Sequence, residues 1–147
     1  MKSKKLKTVA QLLIVVCLIA FASCKKFKTE KPFIITIDYI EITFDGAVPR
    51  IDREDSISIR LHGVIGPDQC HKLYGFPLLY EDQKYPNTNR YIIEVYGIYE
   101  ENENGNPCTL KESILDYEMV IFPETPGTYT FYDYNKPEEE LGSVVVY

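Results

Sequence analysis

Apolar residues recur at every second position along most of this chain, in short runs closed off by glycine, proline and aspartate. Between Ser56 and Leu61, Ile57, Ile59 and Leu61 alternate with Ser58 and Arg60. A period of two places one set of side chains on one face of an extended strand, so such a run folds as a half-buried β-strand. Tyr91 to Tyr99 repeats the pattern with Tyr91, Ile93, Val95 and Tyr99. Leu115 to Phe122 repeats it with Leu115, Tyr117, Met119 and Ile121, and Thr128 to Tyr134 with Tyr129 and Phe131. Leu141 to Tyr147 closes the chain as a valine-rich strand. Lys72 to Tyr80 reads as a weaker strand, because Gly75 and Pro77 confine it to an edge or bulged position. Ile34 to Phe44 is β-rich, but its apolar phase slips from Ile35, Ile37 and Tyr39 to Ile40, Ile42 and Phe44. A bulge or a strand that switches sheets produces such a slip. Asp45-Gly46 turns the chain after it.

No window carries a helical stripe of useful length, although Thr109 to Leu115 has room for one turn. Seven strands spaced in this way predict an all-β fold, a two-sheet β-sandwich with Greek-key links.

The N-terminus is of another kind. Lys2, Lys4, Lys5 and Lys7 precede thirteen residues, Val9 to Phe21, interrupted only by Gln11. That apolar run is too short to cross a bilayer comfortably as a helix and follows a cationic segment, which is the order of a secretory signal peptide. Phe21-Ala22-Ser23-Cys24 then resembles the lipobox of bacterial lipoproteins, with Phe21 standing where leucine is usual. The resemblance implies cleavage before Cys24 and lipidation of its thiol. Residues 1–23 are then a signal peptide, 24–32 a basic tether, and 33–147 the β domain. Eight extended residues from Lys25 to Pro32 reach about 25–30 Å, which keeps the domain near the membrane. Lys25 is not the aspartate that retains some lipoproteins at the inner membrane, so the expected location is the outer membrane, with its face left open.

Charge narrows the partners. The whole chain carries −6, and loss of the four signal-peptide lysines leaves −10. From Phe33 onward 21 acidic residues face 8 basic ones, a balance that repels phosphate backbones and excludes nucleic acid as the expected partner. The membrane, through the lipid anchor, and a protein or glycan of the envelope remain.

Cysteine usage fits an exported chain. Cys17 leaves with the signal peptide and Cys24 is committed to lipid, so Cys70 and Cys108 remain as an even pair. That pair reads as a disulfide, with two buried free thiols as the alternative. The spacing matches no zinc signature.

Pro126-Gly127-Thr128-Tyr129-Thr130-Phe131 looks like the start of the sixth strand of immunoglobulin-like domains, where a tyrosine hydroxyl turns back onto the preceding corner. The bland alternative for Tyr129 is a plain core aromatic. Together with Gly66-Pro67-Asp68-Gln69-Cys70, Val95-Tyr96-Gly97 and Cys108, the hexapeptide resembles small lipoproteins of Bacteroidota-type bacteria. The resemblance implies a disulfide-bonded, immunoglobulin-like β-sandwich on a lipid anchor and brings no activity with it. Asp55-Ser56-Ile57 resembles the short O-glycosylation acceptor of the same bacteria, which marks Ser56.

Catalytic candidates are few. There is no Gly-x-Ser-x-Gly elbow, and nucleophilic catalysis needs a nucleophile with a base in reach. His62 and His71 read as solvated loop histidines. Glu138-Glu139-Glu140 reads as solvated charge rather than a glycosidase pair. Glu100 to Pro107 begins like a calcium loop, but Lys111 occupies the position of the bidentate acid, so a polar hairpin connection is expected. No cofactor or metal is expected. Twelve tyrosines against no tryptophan leave an aromatic surface as the main functional signal. The loop Glu81 to Arg90 is the candidate contact surface, with Tyr80, Tyr85, Asn87 and Arg90 as its contact residues. The expected function is a non-catalytic binding or structural module at the envelope. The alternatives are an envelope protease inhibitor or immunity-type protein and, further off, a small hydrolase.

Overall fold

A computed structural model describes residues 30–44, 56–102 and 105–147. Cys24, the signal peptide and most of the tether lie outside the described residues, as does the Asp45-Gly46 turn.

Among the described residues there are nine strands and no helix: β1 (Phe33–Ile35), β2 (Ile37–Phe44), β3 (Ile57–Gly66), β4 (His71–Leu73), β5 (Leu78–Glu81), β6 (Arg90–Tyr99), β7 (Ser113–Ile121), β8 (Gly127–Asp133) and β9 (Lys136–Val146). They form two packed sheets. The larger runs β1-β6-β8-β9, with β4 and β5 also paired to β6; the smaller is β2-β3-β7. All pairs are antiparallel except β6 with β8, which run parallel.

Nine strands replace the expected seven because two predicted segments are each divided. The first divides at Thr36: β1 pairs with β6 in the large sheet and β2 with β3 in the small one. The register of β2 also shifts between Ile37 and Tyr39, where Asp38 has no counterpart opposite it. The phase slip therefore has both of its possible causes, a switch of sheets and a bulge two residues later. The second segment divides at residues 74–77. Gly75 takes φ +72° there, which a residue with a Cβ adopts only under strain, and β4 and β5 pair in turn with the far and near halves of β6. Thr109 to Leu115 holds no helical turn; a tight turn closes at Lys111 and β7 begins at Ser113.

The core lies between the sheets. Ile57, Ile59 and Leu61 of β3 meet Ile93 and Val95 of β6, Phe131 of β8, and Val144 and Val146 of β9, all buried. Burial of each such side chain contributes about 1.5–3 kcal/mol. The alternation seen in the sequence is thus the in-out alternation of the strands. Gly63 is required by the sheet switch: a Cβ there would lie 2.9 Å from the Thr36 carbonyl oxygen, where the chain crosses between layers.

Asp133, at the end of β8, is the one fully buried charged residue among those described. One carboxylate oxygen accepts the Ile37 amide at 3.1 Å and the other accepts the Asn135 amide at 3.1 Å. Asn135 Nδ2 donates to Thr36 Oγ1 at 3.2 Å. These bonds tie the end of β8 to the point where the first strand leaves one sheet for the other. Burial raises the Asp133 carboxyl above its ordinary value, against the pull of its two amide donors.

Cys70 and Cys108 form a disulfide, with Cα atoms 5.7 Å apart. It fastens the β3–β4 turn to the segment before β7. Gln69 reinforces the join, donating its amide to the Thr109 carbonyl and its side chain to those of Lys111 and Glu112. Glu100 to Pro107 is accordingly no hairpin: it leads from β6 in one sheet to β7 in the other.

Candidate functional site

The predicted contact loop is built from its two ends inward. Asp82 and Arg90 face each other where β5 and β6 diverge, and the Asp82 amide donates to the Arg90 carbonyl at 2.7 Å. Asp82 then turns the chain through its own side chain, Oδ1 accepting the Lys84 amide at 2.9 Å, while its carbonyl accepts the Tyr85 amide. Asn87 and Asn89 take φ of 61° and 50°, the left-handed region that asparagine tolerates better than most residues. The Asn87 amide donates back to Glu81 at 2.8 Å.

Arg90 holds this loop together. Its Nε donates to Asp82 Oδ2 at 2.7 Å and its terminal nitrogen to the Pro137 carbonyl. Its guanidinium lies 3.4 Å from the ring centre of Tyr132 and 4.9 Å from that of Tyr85. Both side chains of the ion pair are mostly buried, and the Arg90 hydrogen bond holds the Asp82 carboxyl below its ordinary value. A planar fork stacked on aromatic faces uses the geometry that distinguishes arginine from lysine.

A cleft of about 410 Å³ opens beside this bracket. Ile92 is its buried floor; Tyr80, Tyr85, Tyr134 and Pro137 are apolar walls; Lys84 and Glu138 pair across it at 3.6 Å. Next to Ile92 on the same strand face, Glu94 accepts hydroxyl protons from Tyr80 at 3.3 Å and from Tyr96. Burial pushes the Tyr80 hydroxyl up to about 12, with the Glu94 charge adding to it.

The sequence thus named three of the cleft residues, Tyr80, Tyr85 and Arg90. Asn87, the fourth, does not line it and serves the turn instead. Arg90 is committed to its bracket rather than free for a ligand. Ile92, Tyr134 and Pro137 were not singled out, and Glu138 was read only as solvated charge, because they come from the floor strand and the β8–β9 hairpin. Tyr134-Asn135-Lys136-Pro137, an aromatic beside turn residues, was the signal available. Ser56 is half-buried just before β3.

The histidines correct the expectation of solvated loops. His62 sits within β3, stacked on Tyr39 at 4.5 Å between ring centres and 3.4 Å from Glu41 Oε2. His71 opens β4 between Phe33 and Tyr99, with Nδ1 2.8 Å from Asp68 Oδ1. That hydrogen bond holds the Asp68 carboxyl below its ordinary value. Asp68, Cys70 and Cys108 place ligand atoms within 4.8 Å of one another, but both sulfurs are spent on the disulfide.

No protein-family profile matches the chain, and neither a curated protein nor a solved structure shows significant similarity to it.

Proposed function

We propose that this is a lipid-anchored module of the cell envelope, attached through Cys24 after removal of residues 1–23, that binds a partner without catalysis. In this reading the tether 24–32 holds the β domain at the outer membrane, and the two sheets form an immunoglobulin-like Greek-key sandwich. The corner hydrogen bonds of Tyr129 and the sheet switch at Thr36 support that topology. Ser56 is proposed as an O-glycosylation site on the strength of its Asp-Ser-Ile sequence.

The observation that carries the binding reading is the cleft of about 410 Å³, whose size falls within the range of small-molecule and peptide-side-chain pockets. Its aromatic walls rest on an arginine bracket that is already formed, so a ligand meets a preorganised surface.

A photo-crosslinking amino acid at Gln83, on the exposed rim, tests the reading in native envelopes. The expected adduct is specific and is lost when Tyr85→Ala and Tyr134→Ala remove two walls. An adduct that survives both substitutions, or none at all, retires the cleft as a binding site. Intact-mass measurement of membrane extracts tests the anchor: the expected species begins at a triacylated or diacylated Cys24, and an unmodified cysteine ends that part.

A further inference from the structure

The charged side chains that line the cleft cancel in pairs, whereas Glu94 beside it does not. Arg90 pairs with Asp82, Lys84 with Glu138, and Lys136 with Glu139 at 3.9 Å. Glu94 has no ion pair among the described residues; its hydrogen-bond partners are the hydroxyls of Tyr80 and Tyr96. It is half-buried, two residues from Ile92 and on the same face of β6, which places it about 7 Å from the cleft floor. A carboxylate drawn partly out of water, with neutral donors only, retains its full negative charge and lacks a counter-ion.

The wall between Glu94 and the cleft is Tyr80 itself. Its hydroxyl proton goes to Glu94, so its oxygen lone pairs are free to accept from a donor standing in the cleft. The negative charge of Glu94 is thereby carried to the cleft surface through one polarised hydroxyl. The ring faces of tyrosine add their own attraction for positive charge. Beyond that point Ile92 and Pro137 offer apolar contact for a hydrocarbon stem.

Resting on the reading of this cleft as a binding site, we propose that it takes a primary alkylammonium group, the nitrogen donating to the Tyr80 hydroxyl oxygen beside Glu94 and the stem lying on Ile92. An anion meets the uncompensated carboxylate and the acidic field of the chain, and is disfavoured. A hard divalent ion needs six or more oxygens, and one carboxylate with phenol hydroxyls falls short of that. An ammonium on an apolar stem satisfies both halves of the site. A free amine and a lysine side chain share this chemistry.

The test is a chemical-shift titration of the full-length protein in detergent with n-butylammonium, butan-1-ol, butyrate and an acetyl-Gly-Lys-Gly-amide peptide. Saturable shifts at Tyr80, Ile92, Glu94 and Tyr134 are expected with butylammonium at about millimolar concentration. Glu94→Gln should weaken them at least fivefold, and Tyr80→Phe, which keeps the ring, should do likewise; the two variants cover each other if one fails to fold. Tighter binding of the peptide places the cation on a polypeptide and tighter binding of butylammonium places it on a small molecule, and either supports the proposal. Equal binding of butan-1-ol, stronger binding of butyrate, or an unchanged Glu94→Gln variant overturns it while leaving a specific Gln83 adduct to stand for the cleft. Absence of saturable shifts with every probe overturns it as well.

Discussion

The hydroxyl of Tyr129 donates to the carbonyl of Thr125 at 2.9 Å and accepts the amide of the same residue at 3.2 Å. Its ring is buried and stacked on Tyr91 at 5.8 Å, so a core aromatic also locks the corner that leads into β8. Tyr129→Phe keeps the ring and loses both bonds. Because Thr125 is exposed, water recovers part of the loss, and the expected cost is about 1 kcal/mol in urea unfolding. An unchanged midpoint removes the corner from the stabilising interactions of the fold.

The disulfide closes a separation of 38 residues. Cross-linking a loop of that length stabilises by about 4 kcal/mol through the entropy of the unfolded chain. A Cys70→Ser/Cys108→Ser variant should fall by that order in denaturant unfolding, and the non-reduced, denatured domain should show no titratable thiol at either position. A loss under 1 kcal/mol assigns the fastening to Gln69 and its backbone partners instead.

Asp133 makes a prediction in which the sign matters. Its folded carboxyl lies above its unfolded value, so between those two values the folded state holds more protons. Stability from this group is therefore greatest at acid pH and falls as pH rises from about 4 through the folded value. The stability difference between wild type and Asp133→Asn should shrink as pH rises across that window, because all other groups cancel in the comparison. At any pH the carboxamide sets an N–H against a buried amide donor, which costs about 1–3 kcal/mol. A difference that grows with pH rejects the account.

Asp82 behaves in the opposite sense. The Arg90 hydrogen bond depresses its carboxyl, so its contribution is present above the unfolded value and is lost as pH falls through the folded one. Arg90→Lys keeps a charge but loses the fork across Asp82 and Pro137 and the stacking on Tyr132. The Asp82 carboxyl resonance should then titrate closer to about 3.9, and the amides of Lys84, Tyr85, Asn87, Thr88 and Asn89 should exchange faster. Unaltered exchange in that loop dismisses Arg90 as its organiser.

Much of the fold was legible along the chain because period-two alternation is a local property of a strand with one buried face. Ile57, Ile59 and Leu61 were read as inward and are fully buried. Tyr129 was read as either a corner tyrosine or a core aromatic, and it is both. The slip between Tyr39 and Ile40 marked a break, but its two causes leave the same mark in sequence, and pairing partners alone separate them. The histidines were misread for a related reason. Polar residues on the outer face of a strand look like loop residues until the strand beside them supplies Tyr39, Glu41 or Tyr99 as partners.

The sequence by itself determined that the chain forms strands and which faces of most of them turn inward, since both follow from residue type and short-range order; it left Cys70 and Cys108 as a disulfide or two free thiols, and the structure pairs them. Only the tertiary structure decided that the first strand serves two sheets, that Asp133 secures the switch, and that β6 lies parallel to β8. It likewise assembled the cleft, bringing Tyr80 and Arg90 to Tyr134 and Glu138, more than forty residues away. Those contacts depend on which strands become neighbours, and no single strand carries that information in its own alternation.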